Sequence, residues 1–412
     1  MNFTVTKDAP AADIFRENVP CSRPHRETPE APIAPYCGYI VPGDDESAKA
    51  LGAQCAAEIR RNIIADFERT PAYCAAHRET NPDLMVHVST FKRIDGTIYM
   101  TYYANTGSGA EDPKHQEARF AFCPADDPRD MTIVQVQKVG DTLDGKVIDA
   151  LYDTILLYKG GDALYILWTA SAGGQYYRFY CTYSIAHRTL SAIRPNRFRV
   201  GSVTNDFSIT GIQDALANCN IPYKKMFSDI GIMQKLTSRV ENGVPYYYTG
   251  AYSGYFNCII KSADLITWEY VAAPDFINLS MWENAVYVIG NRCYCFVRQH
   301  ECMQGFLTYY DLDAKTWATP CLIRDAQSRS DFIVYDGALY LIHAPLDRNG
   351  FGIVRVNPDD LARSVPVLVA DMQDSLFYPY AEVHGGEMYL SYTVDRKHIR
   401  LARVDARKYL KG

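Results

Sequence analysis

Six side chains in this sequence could act together on an anionic group: Arg298, Arg329, His87, Tyr378, Glu283 and Asp153. A guanidinium grips a carboxylate through two parallel hydrogen bonds and keeps its charge at any working pH. An imidazole titrates near neutrality and can accept or return a proton. A tyrosine hydroxyl can protonate a departing oxygen or attack as a nucleophile, while Glu283 and Asp153 could hold it, steer an arginine or work as an acid/base pair. Asn105, Tyr103 and Tyr183 join them as substrate-binding candidates, with Tyr102, Glu111 and His115 behind. Each has a plainer reading. Arginines bridge neighbouring elements, a lone strand histidine is usually packed, and most of 31 tyrosines must serve the core. What singles out these residues is their position at the starts of repeated units.

The repeat is a hairpin. Phe377 to Tyr392 reads as an apolar run, a Gly385-Gly386 turn and a second run, and related hairpins turn at Gly96, Gly161, Gly243, Gly290 and Gly337. The last four turn glycines are 47, 47 and 49 residues apart, the period of a four-stranded propeller blade. A second series follows about twenty residues behind, in Lys261 to Trp268 and Tyr310 to Trp317. The earlier gaps of 65 and 82 residues require extra loops or one degenerate blade. The sequence therefore predicts an all-β chain: a single β-propeller at 85–412, six blades counted and a seventh possible, behind an N-terminal extension at 1–84. Within that extension, residues 44–67 read as an amphipathic helix packing on the propeller. The last blade, ending in His398 to Val404, lacks an outermost strand that an N-terminal strand could supply.

Composition narrows the partners. A net charge of −6 with no basic run argues against nucleic acid, and no 18-residue apolar span argues for a membrane. The N-terminus has no apolar leader, so a cytoplasmic location is expected. The 12 cysteines are scattered and read as reduced thiols. Cys293, Cys295, His300 and Cys302 form one conceivable zinc cluster, but the spacing is not that of a loop-borne structural site, and no metal or cofactor is assigned.

Ser262-x-Asp264-x-x-x-Trp268 resembles the Asp-box turn of the sialidase-like propellers, with Ile266 where that family has glycine. The succession Asp153, Glu283, Arg298-Gln299, Ser328-Arg329-Ser330 and Tyr378 is similar to the acid, glutamate, arginines and tyrosine of sialidases. His87 stands where sialidases carry the first arginine of a triad. With the Tyr102-Tyr103-Ala104-Asn105 stretch it looks more like the propeller ulvan lyases, rhamnosyl-glucuronate lyases and related α-L-rhamnosidases. Those lyases pair two histidines, and only His115 could supply the second. The resemblance implies an acidic oligosaccharide substrate. It would be cut in exo fashion by β-elimination at a rhamnose-glucuronate type linkage, with arginines on the uronate, His87 as base and Tyr378 as acid. A sialidase- or rhamnosidase-like hydrolase is the near alternative, and a non-catalytic glycan- or protein-binding propeller the more distant one.

Overall fold

The computed structural model describes residues 4–28, 35–68, 83–127, 131–227, 230–274, 281–299, 304–326, 328–345 and 347–410. Among them the chain is mostly strand, arranged in six sheets that follow one another in sequence. Sheet one comprises Met85–Ile94, Thr97–Asn105, Gln116–Pro124 and Thr132–Lys138. Sheet two is built on Lys146–Tyr158, Ala163–Ala172 and Gln175–Ser184, and sheet three on Ile230–Ile232, Val244–Ser253, Phe256–Ser262 and Thr267–Ala272. Sheet four opens with Met281–Ile289 and Arg292–Gln299, sheet five with Asp331–Tyr335 and Ala338–His343, and sheet six with Phe377–His384 and Glu387–Val394.

The hairpin turns form where the turn chemistry indicates. Asp95-Gly96, Asn242-Gly243, Asp336-Gly337 and Gly385-Gly386 all have positive φ at both central residues, the twist that matches paired strands. The Asp-box turn also forms. Asp264 Oδ1 accepts from the backbone N–H of Ile266 at 2.8 Å and Thr267 at 2.7 Å, and the Trp268 side chain is fully buried. Its left-handed residue is Leu265, at φ 65°.

Neighbouring sheets are tied by hydrogen bonds from side chains near their opening strands. Leu156 N–H donates to Thr90 Oγ1 at 2.8 Å, Val288 N–H to Thr237 Oγ1 at 3.0 Å and Ala381 N–H to Asp331 Oδ2 at 3.2 Å. Sheet six also reaches sheet one, through Ser391 Oγ donating to Ser89 O at 3.3 Å and an apolar cluster that includes Phe91, Met100, Tyr380 and Leu401. The residues between Gly161 and Gly243 do not add a seventh sheet among the described residues. Arg197–Val200 and Val203–Asp206 instead extend the outer edge of sheet three, followed by helix α2, Ile209–Asn218.

The N-terminal segment runs along the outer edges in order. Thr6–Lys7 pairs with sheet two, Val19 N–H donates to Asn205 beside sheet three, and Gly38–Ile40 pairs with sheet four. Helix α1, Glu46–Arg61, is capped by Asp45 and lays Ala48, Gly52, Cys55, Ala56 and Ile59 towards Val365–Asp371 of sheet five. The expected helix at 44–67 is thus shorter. It stops at Arg61, and Ile63–Glu68 becomes the outermost strand of sheet six, paired with His398–Asp405. An unpaired sheet edge and the β-branched Ile63 and Ile64 outweigh continued helix there.

Gly52 is required by this packing, since a Cβ there would lie 1.8 Å from Val369 O. Gly52→Ala should lower the urea midpoint, a loss of about 1–3 kcal/mol from overpacking that outweighs the gain of about 1 kcal/mol in helix propensity. A raised midpoint would refute the close approach. His343, at the end of a core strand of sheet five, is buried with neither ring nitrogen partnered, and burial pushes its pKa down to about 4. The folded state thus resists a proton that the unfolded chain accepts. Stability present above pH 6.5 should fall by about 3 kcal/mol as pH drops from about 6.5 to about 4. His343→Leu should flatten that part of the urea-midpoint profile.

Candidate functional site

Four sheets break register at the same place in their opening strand. The irregularities lie between His87 and Thr90, between Tyr152 and Ile155, between Met281 and Asn284, and between Phe377 and Tyr380. Three of these bulges hold a residue in the left-handed region: Val88 at φ 56°, Asp153 at φ 56° and Tyr378 at φ 53°. For side chains that are not glycine this costs about 1–3 kcal/mol each, and for the β-branched Val88 it is a marked outlier. A bulge re-aims the side chain it carries. Val88, Asp153, Glu283 and Tyr378, one from each bulge, all line the same cavity of about 270 Å³.

Arg329 from the start of sheet five, and Tyr103, Glu111 and Gln116 from sheet one, add to its polar lining. Tyr152, Tyr176 and Tyr252 form aromatic walls. A larger groove of about 470 Å³ lies between the turns of sheets four and five, but its acidic residues Asp336 and Asp359 are solvent-exposed and no buried charge converges on it.

Charges in the smaller cavity are densely paired. Tyr378 Oη donates to Glu283 Oε1 at 2.6 Å, and Arg298 Nη1 donates to Glu283 Oε2 at 2.6 Å. Arg329 Nη2 lies 2.5 Å from Asp153 Oδ1 and 3.7 Å from Glu283 Oε1. Arg178, fully buried, holds the other side of Asp153 at 2.9 Å. Burial alone would raise the Glu283 pKa, yet Arg298, Arg329 and the Tyr378 hydrogen bond hold it far below the usual carboxylate range. Burial, then the charge of Glu283, pushes the Tyr378 hydroxyl well above its usual value. Half-buried Arg348 approaches the rings of Phe377 and Tyr378 at 4.7 Å and 5.9 Å and makes no ion pair among the described residues. With Arg178, Arg298, Arg329 and Arg396 it makes five guanidinium groups near three carboxylates, Glu283, Asp153 and Glu111, an excess of positive charge that favours an anionic ligand.

Of the residues selected from sequence, Tyr378, Glu283, Arg329, Asp153, Tyr103 and Glu111 line the cavity, and Arg298 stands directly behind Glu283. Three others are placed differently. His87 is fully buried, stacked on Tyr378 with centroids 4.6 Å apart, its Nδ1 3.4 Å from Thr393 Oγ1. The bulge turns the adjacent Val88, not His87, into the cavity. Burial and then the neighbouring Arg396, Arg348 and Arg329 hold its pKa well below 6.5, so it supports the tyrosine ring as a neutral imidazole. Tyr183 packs in the core against Phe120, Tyr99 and Phe122, because its strand position faces sheet one rather than the cavity. Asn105 is buried and shapes its own loop, accepting from the N–H groups of Gly107 at 2.9 Å and Ser108 at 2.8 Å.

His115 is largely exposed and pairs with Asp112 at 2.8 Å, and among the described residues no histidine lines the cavity. Cys293 and Cys295 are buried strand thiols, Cys295 pushed up to about 12 by burial, while His300 and Cys302 lie outside the described residues. Sequence reading missed Arg178, Arg348 and the walls Tyr152, Tyr176 and Tyr252. Arg178 did carry a signal: a charge within the apolar strand Gln175–Ser184 must be buried and therefore paired.

No protein-family model matches the sequence, and no curated protein matches it. Solved structures do. Trypanosoma rangeli sialidase in complex with sialic acid matches with a TM-score of 0.52 at 14% identity, over 80% of this chain and 55% of that one. The fold is therefore similar to that of the sialidase propellers, although this chain spans little more than half the sialidase. A glycosyl hydrolase from Bacteroides ovatus matches with a TM-score of 0.44 at 12% identity, over 84% and 92% of the two chains. The polysaccharide lyase Uly1 matches with a TM-score of 0.40 at 10% identity, over 78% of each.

The ion-pair geometry separates two arginines that look alike in sequence. Arg329→Met leaves Asp153 and Glu283 buried with less compensation and should cost about 3–5 kcal/mol in urea unfolding. Arg348→Met should change stability by less than about 1 kcal/mol. Equal effects would contradict the pairing.

Proposed function

We propose that the protein is a carbohydrate-active enzyme that cleaves an acidic glycan, with the six sheets closed into a six-bladed propeller and residues 1–84 as its extension. The observation that carries this reading is the Tyr378-Glu283 hydrogen bond in a cavity whose lining and immediate surroundings together hold more guanidinium groups than carboxylates. It favours hydrolysis through Tyr378 over β-elimination, because the base that elimination would have used, His87, is sealed behind Tyr378.

An incoming carboxylate would draw Arg329 and Arg348 towards itself. That loosens the hold of Arg329 on Glu283 and raises the affinity of Glu283 for a proton. Tyr378 oxygen then attacks the anomeric carbon as its proton passes to Glu283, and the bond to the departing sugar oxygen breaks. Glu111, beside Tyr103 at 2.5 Å and Arg396 at 2.8 Å, is the carboxyl placed over the cavity that, entering in its protonated form, gives its proton to that oxygen. Water then attacks the anomeric carbon and gives a proton back to Glu111, while the bond to Tyr378 breaks and Tyr378 takes its proton back from Glu283. A cavity of about 270 Å³ suits one sugar ring, which supports exo action on a short chain. None of the ten described cysteines is joined in a disulfide, in keeping with action in the cytoplasm.

Digestion of a panel of uronate- and sialate-bearing oligosaccharides, read by mass spectrometry and ultraviolet absorbance, tests this. The expected result is a saturated acidic monosaccharide, with Tyr378→Phe and Glu283→Gln each reducing kcat at least about 100-fold. An unsaturated uronate chromophore would establish elimination instead. Full activity in Tyr378→Phe would remove the tyrosine from the chemistry.

A further inference from the structure

A second group of reactive side chains lies away from the cavity and joins two distant parts of the chain. Cys21 and His25 of the N-terminal segment meet Asp214 of α2, and their sulfur, ring nitrogen and carboxylate oxygen all lie within 4.8 Å of one another. His25 Nε2 and Asp214 Oδ1 are 3.1 Å apart. Two ligands of a tetrahedral zinc ion, each about 2.0–2.1 Å from the metal, stand about 3.3 Å apart, so this pair is already near ligating distance. A thiolate ligand would stand about 3.5 Å from each, a shift of about 1 Å for Cys21, which sits in an irregular segment.

The surroundings suit ligation. Cys21 Sγ accepts from the Arg23 N–H at 3.3 Å and its thiol donates to Arg23 O at 2.5 Å, contacts within its own turn. His25 Nδ1 faces Tyr223 Oη at 2.5 Å. With a metal on Nε2, Nδ1–H would donate to that hydroxyl, the outer-sphere arrangement that orients metal-bound histidines; without one, Nε2–H donates to Asp214 Oδ1 instead.

We propose that Cys21, His25 and Asp214 bind one Zn²⁺, with water as the fourth ligand, and that the ion fastens the N-terminal segment to sheet three. A mixed thiolate, imidazole and carboxylate set suits zinc and disfavours the all-oxygen cations magnesium and calcium. Zinc would cross-link a path that now rests on surface contacts such as Ser22 N–H to Asn218 Oδ1 at 3.0 Å and Arg26 Nη1 to Asn220 Oδ1 at 3.2 Å. In sequence the Cys-x₃-His spacing at 21–25 is short and its third ligand is 189 residues further on, so it escaped notice.

The test uses untagged full-length protein stripped with a chelator and titrated with Zn²⁺ alone, read by calorimetry and metal analysis. The expected outcome is one ion per chain, with at least about tenfold weaker binding in each of Cys21→Ser, His25→Ala and Asp214→Asn. Co²⁺ substitution should give a sulfur-to-cobalt charge-transfer band that Cys21→Ser abolishes. Zinc should raise Tm in the native sequence and not in His25→Ala. No binding by the native chain at micromolar zinc, or unchanged binding in both Cys21→Ser and His25→Ala, overturns the proposal and leaves a plain His25-Asp214 hydrogen bond.

Discussion

Two buried carboxylates, Glu283 and Asp153, are the pivot of this structure. Each would be costly to bury alone, and each is held by guanidinium groups brought from other strands or other sheets. Arg329 serves both, so sheets two, four and five meet through one cation, and Tyr378 adds sheet six through its hydroxyl. The same pairs that stabilise the meeting of the sheets tune the reactive groups. Glu283 is kept ionised and Tyr378 protonated by the contacts that make the fold possible. Structure and reactivity are therefore not separable here.

Strain accompanies this arrangement. Regular strands would point alternate side chains sideways between sheets, and only the bulges turn Val88, Asp153, Glu283 and Tyr378 inward together. Gly231 contributes from sheet three, where a Cβ would lie 2.2 Å from the Tyr252 ring and 2.8 Å from Asp153 Oδ2. Other left-handed residues, such as Leu265, lie in turns, whereas Val88, Asp153 and Tyr378 carry theirs within strands and line the cavity.

Much of this was legible in the sequence, because the hairpin turns and the Asp-box depend on local chemistry. Asn-Gly and Asp-Gly pairs fix both φ values of a turn whatever surrounds it. Asp153, Glu283, Arg329 and Tyr378 could be found since each stands about seven or eight residues before a turn glycine. The direction of a side chain at a bulge could not. His87 and Val88 are adjacent, and a single extra residue in the strand exchanges which of them faces the cavity. Tyr183 misled for a related reason: strand alternation gives a face, not which neighbour covers it. Arg348 and Tyr252 come from positions whose approach depends on packing across sheets, for which a single sequence holds no signal.

The pairing of Ile63–Glu68 with His398–Asp405 has a consequence for biosynthesis. These two strands lie more than 300 residues apart, so the earlier one is made long before its partner. Until that partner is made, the early strand exposes an open edge, a state prone to pairing with another chain. The helix that precedes it has the same difficulty, because its apolar face waits for sheet five. Only once sheets five and six have been made do helix α1 and the strand after it find a place to rest.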